Sequence, residues 1–229
     1  MRTILFCILY IFFATFSLEA EAINYSSSRI ERYVNKIPRK YENNLSTLVN
    51  ILIKPLDDDY DKAKAIAFWI ASRINYDEYL YNNGSATKLI VKYKGQKPRE
   101  LLKSRVGICG DFAELFEEMC KKAGIRVYSV SGYTYPSNVR LSSKVKRNSG
   151  HVWNYFIYKG KKVYVDTTFM SKGTTGFRGR ASDFNRNRAL KQIKRENKRK
   201  SEINKFDEFY FDFDYKDEEK KRKYKRVEK

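Results

Sequence analysis

Histidine and cysteine are scarce in this chain, with one of the first and three of the second among 229 residues. An ordinary zinc site draws four ligands mainly from these two types. One histidine and one available thiol cannot furnish it, so neither a metal nor a cofactor is expected. The chain also lacks a nucleophile-elbow serine motif and a phosphate-cradling glycine loop. Past residue 22 it holds no apolar run of 18 residues, so no membrane span is expected in the mature chain.

What is present begins with an export signature. Arg2 gives a positive start, Ile4 to Phe16 is a mostly apolar run, and Ala20-Glu21-Ala22 offers the small residues a signal peptidase cuts after. Residues 1–22 are read as a cleaved signal peptide that carries Cys7 away, and the protein as periplasmic or secreted. Without Arg2, Glu19 and Glu21, 46 basic and 25 acidic residues remain, a formal charge of +21. Such an excess suits an anionic envelope polymer or a membrane surface as partner. It also suits the bland reading of a Lys- and Asn-rich coding bias. No specific nucleic-acid partner is expected.

Local patterns divide the rest. A short helix is expected over 46–52, followed by Lys54-Pro55. Asp57-Asp58-Asp59 then offers N-caps to a helix with Ile66, Trp69, Ile70 and Ile74 at helical spacing. A loop region carries Asn82, Asn83, Gly84 and Gly95. After Gly107 and Cys109 a helix over 110–122 presents Phe112, Leu115, Phe116, Met119 and Cys120 on one face. Cys120 therefore reads as a core thiol. At a rise of 1.5 Å per residue the helix would set Cys109 and Cys120 about 16 Å apart, too far for a disulfide.

Beyond Gly124 the period changes to two. A strand is expected from Val127 to about Tyr135, and two more over 151–158 and 161–167, joined by the Lys159-Gly160 turn. From Arg178 the composition shifts: residues 186–200 hold eight bases and one acid, and 202–219 hold eight acids and two bases. The basic run reads either as a polyanion contact or as a solvated helix face. Phe209, Phe211, Phe213 and Tyr215 alternate with polar residues and read as one more docked strand. One domain over 23–215, with its core at 59–170, is expected, followed by a charged tail without regular structure over 216–229.

Cys109 stands where a loop enters a helix, where unpaired N–H groups and the helix dipole favour a thiolate. His151 opens a strand. With Lys159-Gly160 as a two-residue hairpin loop, paired positions put His151 opposite Thr168 and Asp166 opposite Trp153. His151 and Asp166 are then diagonal neighbours on one face, with Cβ atoms roughly 7–8 Å apart. A one-residue slip would separate them. Thiol, imidazole and carboxylate together suit attack on a peptide or carboxamide carbonyl. Asp111 reads as a stabiliser of the first helical turn, Trp153 as core or site wall, and Asn154 as a hydrogen-bonder on the opposite face.

Ser104 to Phe116, Ala123-Gly124-Ile125 and Ser131-Gly132-Tyr133 resemble the cysteine segment of the transglutaminase-like superfamily. Gly150-His151-Val152-Trp153-Asn154 with Val165-Asp166-Thr167-Thr168 resembles its histidine and aspartate segment, and Ala67 to Asp77 its preceding helix. The bacterial and kyphoscoliosis-peptidase-like branch is the nearest in flavour. The resemblance implies an α+β, papain-like fold with a helix-start cysteine on an antiparallel sheet. It also implies Cys109, His151 and Asp166 as a catalytic triad acting on a protein or peptide substrate. Phe169 departs from the Trp many members carry there, and Lys162 lies where they place another. A transamidase and a non-catalytic basic binding module are the alternative functions.

Overall fold

The computed structural model describes residues 26–77, 95–134, 150–172, 206–220 and 224–226. The signal-like segment, the Asn82–Gly84 region and the basic run over 186–200 lie outside them. Helix α1 (Ser27–Asn35) buries Ile30 and Val34, and a single 3-10 turn (Arg39–Tyr41) leads to α2 (Leu45–Ile53). The side chain of Asn44 accepts the Thr47 N–H at 3.0 Å and fixes where α2 begins.

Helix α3 (Asp59–Arg73) is the centre of the molecule. Asp58 caps it by accepting the Tyr60 N–H at 2.8 Å, the role expected of the aspartate cluster. Ile66, Trp69, Ile70 and Ile74 are fully buried, and so are Ala63, Ala65, Ala67 and Ala71 on the same helix. Every residue of this helix from Ala63 to Ser72 is buried, so other elements must surround it. The small alanines let α1, α2 and the later helices approach closely enough to do this.

Strand β1 (Asn75–Tyr76) leaves α3 and pairs in parallel with β2 (Val106–Gly107), which follows α4 (Pro98–Ser104). Next comes α5 (Cys109–Lys122), whose buried face is the expected Phe112, Leu115, Phe116, Met119 and Cys120. Cys109 itself is the first helical residue, one earlier than the sequence pattern suggests. Both thiols are free.

The main sheet has the order β5-β4-β3-β6 and is antiparallel throughout. Its strands are β3 (Val127–Thr134), β4 (Gly150–Tyr158), β5 (Lys161–Val165) and β6 (Tyr224–Arg226). Lys159 and Gly160 both take positive φ, 47° and 76°, as a tight two-residue hairpin requires. The register is the expected one, from Tyr158↔Lys161 to Asn154↔Val165. Helices packed beside an antiparallel sheet make this an α+β fold, with α5 laid against β3 and β4.

Three expectations need correction. Strand β5 stops at Val165 instead of reaching Thr167, because the Asp166 side chain accepts the Phe169 N–H at 2.9 Å and starts the short helix α6 (Thr167–Met170). Thr168 is thus helical and does not pair with His151. The segment after 206 is not a full strand: it bridges Ser171↔Phe206 and Val165↔Phe211 around a 3-10 turn (Glu208–Tyr210). The charged tail expected over 216–229 is partly regular, since α7 (Tyr215–Lys220) continues into it and β6 pairs with β3 at the sheet edge.

The two glycines around Cys109 play different parts. A Cβ at Gly107 would stand 2.8 Å from the Leu101 side chain and 2.9 Å from Asp111, whereas one at Gly110 meets nothing within 4 Å. Gly107→Ala is expected to lower stability by about 1–3 kcal/mol through overpacking. Gly110→Ala is expected to be neutral or stabilising by up to ~1 kcal/mol, because alanine favours the helix. Urea unfolding of the two variants checks this contrast.

Candidate active site

Cys109 is held in place by its own helix and by the strand before it. Asp111, two residues into α5 and 2% exposed, accepts the Ile108 N–H at 2.8 Å and the Gln96 N–H at 2.7 Å. Its carboxylate thus closes the helix start and ties down the loop ahead of α4, as a first-turn stabiliser should. Gly107 is required here because Asp111 folds back against it.

Upstream, Arg105 has φ of 59° and ends α4 in the left-handed region. Its guanidinium meets the Glu42 carboxylate at 3.2 Å, and Arg73 meets the same carboxylate at 2.8 Å. Trp69 donates its indole N–H to Glu42 at 3.3 Å, and Arg105 lies over the Trp69 ring. Burial pulls the Arg105 pKa down to about 10, with Glu42 opposing and Arg73 and Arg39 adding to the fall. This buried cluster fixes the chain that enters β2 and Cys109 against α3. Sequence reading missed it, since three scattered charged residues carry no local signal.

His151 and Asp166 meet at 2.6 Å through Nε2 and Oδ2, 6% and 0% exposed respectively. The Cys109 side chain also hydrogen-bonds His151, and its charge acts on the ring. Burial alone would lower the His151 pKa. The Asp166 charge and hydrogen bond, reinforced by Cys109, outweigh burial and push it up to about 10. The interaction therefore stabilises the folded chain fully below the ordinary histidine value of 6.5 and is lost as pH rises through about 10. At neutral pH the ring carries both protons, one donated to Asp166 and one available to sulfur.

The structure thus brings together Cys109, His151 and Asp166, the three residues picked from the sequence. Cys109 is half-buried and reachable. Cys120 is fully buried, and burial first, then the Asp59 charge, push its pKa well up. It stands apart from the chemistry.

Other residues complete the setting. Phe169 stacks on His151 with centroids 4.5 Å apart and planes at 16°. Trp153, 1% exposed, packs with Val130 and Phe213 in a second small core, so it is mainly a core residue, although it also lies 6.0 Å from the His151 ring. Asn154 is fully buried and donates to the Ala113 carbonyl at 3.3 Å and to Ser129 at 3.2 Å, pinning α5 to the sheet. The Tyr210 carbonyl accepts the Asp166 N–H at 2.9 Å. That contact comes from backbone some 40 residues downstream and left no mark in residue type.

A family model described as the transglutaminase-like superfamily matches residues 46–167. The chain belongs to the transglutaminase-like superfamily. Within it, the human kyphoscoliosis peptidase is 27% identical over 143 residues, which is 62% of this chain and 20% of that protein. The mouse kyphoscoliosis peptidase is 28% identical over 127 residues, covering 56% and 18%. The chain thus spans about a fifth of the length of these curated relatives. A crystal structure of a TGase aligns with 73% of this chain and 39% of its own at 17% identity, with a TM-score of 0.43. The matched range of the transglutaminase-like model contains Cys109, His151 and Asp166 and ends before Phe169 and the segment from residue 206.

The single histidine makes its titration readable without assignment. In the wild-type chain the His151 ring proton signals should titrate near pH 10. In Asp166→Asn, which keeps an acceptor for the Phe169 N–H, the midpoint should fall below about 6.5, because burial then acts against a weakened partner. NMR titration of both proteins checks this, and an unshifted midpoint would mean that Asp166 is not the source of the elevation.

Proposed function

We propose that this chain is an exported cysteine peptidase or amidase that hydrolyses peptide or carboxamide bonds through Cys109, His151 and Asp166. The observation that carries the reading is the 2.6 Å His151–Asp166 contact on a ring that also bonds the Cys109 thiol. Membership of the superfamily and the peptidase names of the curated relatives support it. Export rests on the signal-like pattern of residues 1–22.

In this reading the Cys109 sulfur attacks the carbonyl carbon and forms a C–S bond. The oxyanion is met by the Cys109 backbone N–H, which in the first turn of a helix has no intrahelical partner. His151 gives its proton to the departing amine as the C–N bond breaks. Water then attacks the thioester, losing a proton to His151, and the C–S bond breaks to return the thiolate and release the acid. Asp166 supports the charged ring in both halves. Hydrolysis is favoured over transfer to an amine because Cys109 is only half-buried and Phe169, stacked on His151, is 36% exposed, so water has access to the acyl-enzyme.

The test is turnover of a mixed peptide library, read by mass spectrometry as new amino termini or released ammonia. Cys109→Ala and His151→Ala should each lose at least about 10³-fold in rate; Cys109→Ala should keep the wild-type unfolding midpoint, while His151→Ala, which leaves Asp166 buried without its partner, should fold but unfold earlier. Incorporation of an added primary amine at glutamine without new termini would instead make the chain a transamidase. Unimpaired function in Cys109→Ala would point to the basic binding module.

A further inference from the structure

Of the three large hydrophobic side chains exposed among the described residues, Phe169 lies against His151 and Phe209 is linked to it through Tyr210. Phe169 is 36% exposed and Phe209 53% exposed, while Ile157 sits farther along β4. Phe169 lies flat on the His151 ring. Tyr210 meets the Phe169 ring at 5.5 Å and 65°, and Phe209 meets Tyr210 at 5.1 Å and 89°. The edge-to-face sequence Phe169–Tyr210–Phe209 runs outward from the imidazole, an arrangement aromatic rings prefer.

We propose that these three rings form a specificity ledge that receives an aromatic or large aliphatic side chain of the peptide, next to the carbonyl that Cys109 attacks. The proposal rests on the reading of Cys109 as the nucleophile. A scattered exposed phenylalanine is ordinary, but a contiguous apolar strip that starts at the reactive imidazole has a use. An extended peptide advances roughly 3.3 Å per residue. A side chain one or two residues from the attacked carbonyl is therefore within reach of a strip that begins in contact with His151.

The neighbouring charges favour an apolar occupant. Asp207 pairs with Lys172 at 3.0 Å and Glu208 with Lys64 at 3.2 Å, so each acid flanking the ledge is matched by a lysine. The ledge is also firmly built. The segment that carries Tyr210 and Phe209 is hydrogen-bonded on both sides, by the Asp207 N–H to the Met170 carbonyl at 2.8 Å and by the Asp212 N–H to the Tyr164 carbonyl at 2.7 Å. All three rings lie beyond residue 167, where the matched range ends, and Phe169 stands where many members of the family carry Trp, so the ledge can set a preference of its own.

The test compares two probes that alkylate Cys109, N-acetyl-phenylalanyl chloromethyl ketone and N-acetyl-glycyl chloromethyl ketone. In each, the sulfur attacks the methylene carbon, a C–S bond forms and chloride leaves. Each rate is divided by that of iodoacetamide on the same protein. The phenylalanyl probe should react about ten-fold faster than the glycyl probe on the wild type. In Phe209→Ser the preference should fall below about three-fold, and in Phe209→Trp it should return. A wild-type ratio near one, or the same ratio in Phe209→Ser, overturns the ledge. If iodoacetamide labelling shows no dependence on His151, the nucleophile reading fails separately, and the probe ratio still decides the ledge because the half-buried thiol remains reachable by all three reagents.

Discussion

A carboxylate with no solvent exposure cannot stay charged unless other groups replace its water. Asp166 is in that position, and much of the structure around it is organised to meet the requirement. One oxygen faces His151 Nε2 and the other accepts the Phe169 N–H, while its own backbone N–H goes to the Tyr210 carbonyl. These contacts come from β4, from α6 and from the segment after residue 206. The β4–β5 register, the early end of β5 and the docking of the C-terminal segment all converge on one buried charge. His151 is in turn held protonated, and Cys109 faces a cation at the start of a helix.

Positioning of the sulfur is the second half of the arrangement and uses different means. Cys109 belongs to α5, which is fastened to the sheet by Asn154 and to the chain before it by Asp111. The chain before it is fastened to α3 by Glu42 and its two arginines. A pair removed from water in this way repays its desolvation only when its geometry is good, and breaking one partner typically costs about 3–5 kcal/mol. Thiol and imidazole thus reach each other from two elements locked separately against the same core.

The hairpin was the most legible part of the site. Lys159-Gly160 allows a two-residue turn, the turn fixes the register, and the register puts His151 near Asp166. Helix α3 was readable for a similar reason, since Ile66, Trp69, Ile70 and Ile74 line up on one face of a helix and on neither face of a strand. The pattern of β5 misled because alternation continues through Thr167, whereas the Asp166 side chain competes for backbone N–H groups and turns the chain into α6. Gly107 stands where the chain's own Asp111 and Leu101 come close, a contact that depends on how α5 folds back and that residue pattern alone did not show. The Tyr210 carbonyl and the Phe169–His151 stacking could not be read, because a backbone acceptor has no residue code and a ring contact depends on a turn the pattern did not predict.

Whether His151 makes Cys109 reactive is read from the pH dependence of iodoacetamide alkylation at each thiol, from pH 5 to 9. Cys109 in the wild type should react well below pH 8, the reaction at pH 6 should slow at least ten-fold in His151→Ala, and buried Cys120 should stay unlabelled in the folded protein. Equal, slow labelling of Cys109 in both proteins at pH 6 would contradict activation by His151 and leave the three residues as a structural cluster without acyl-transfer chemistry.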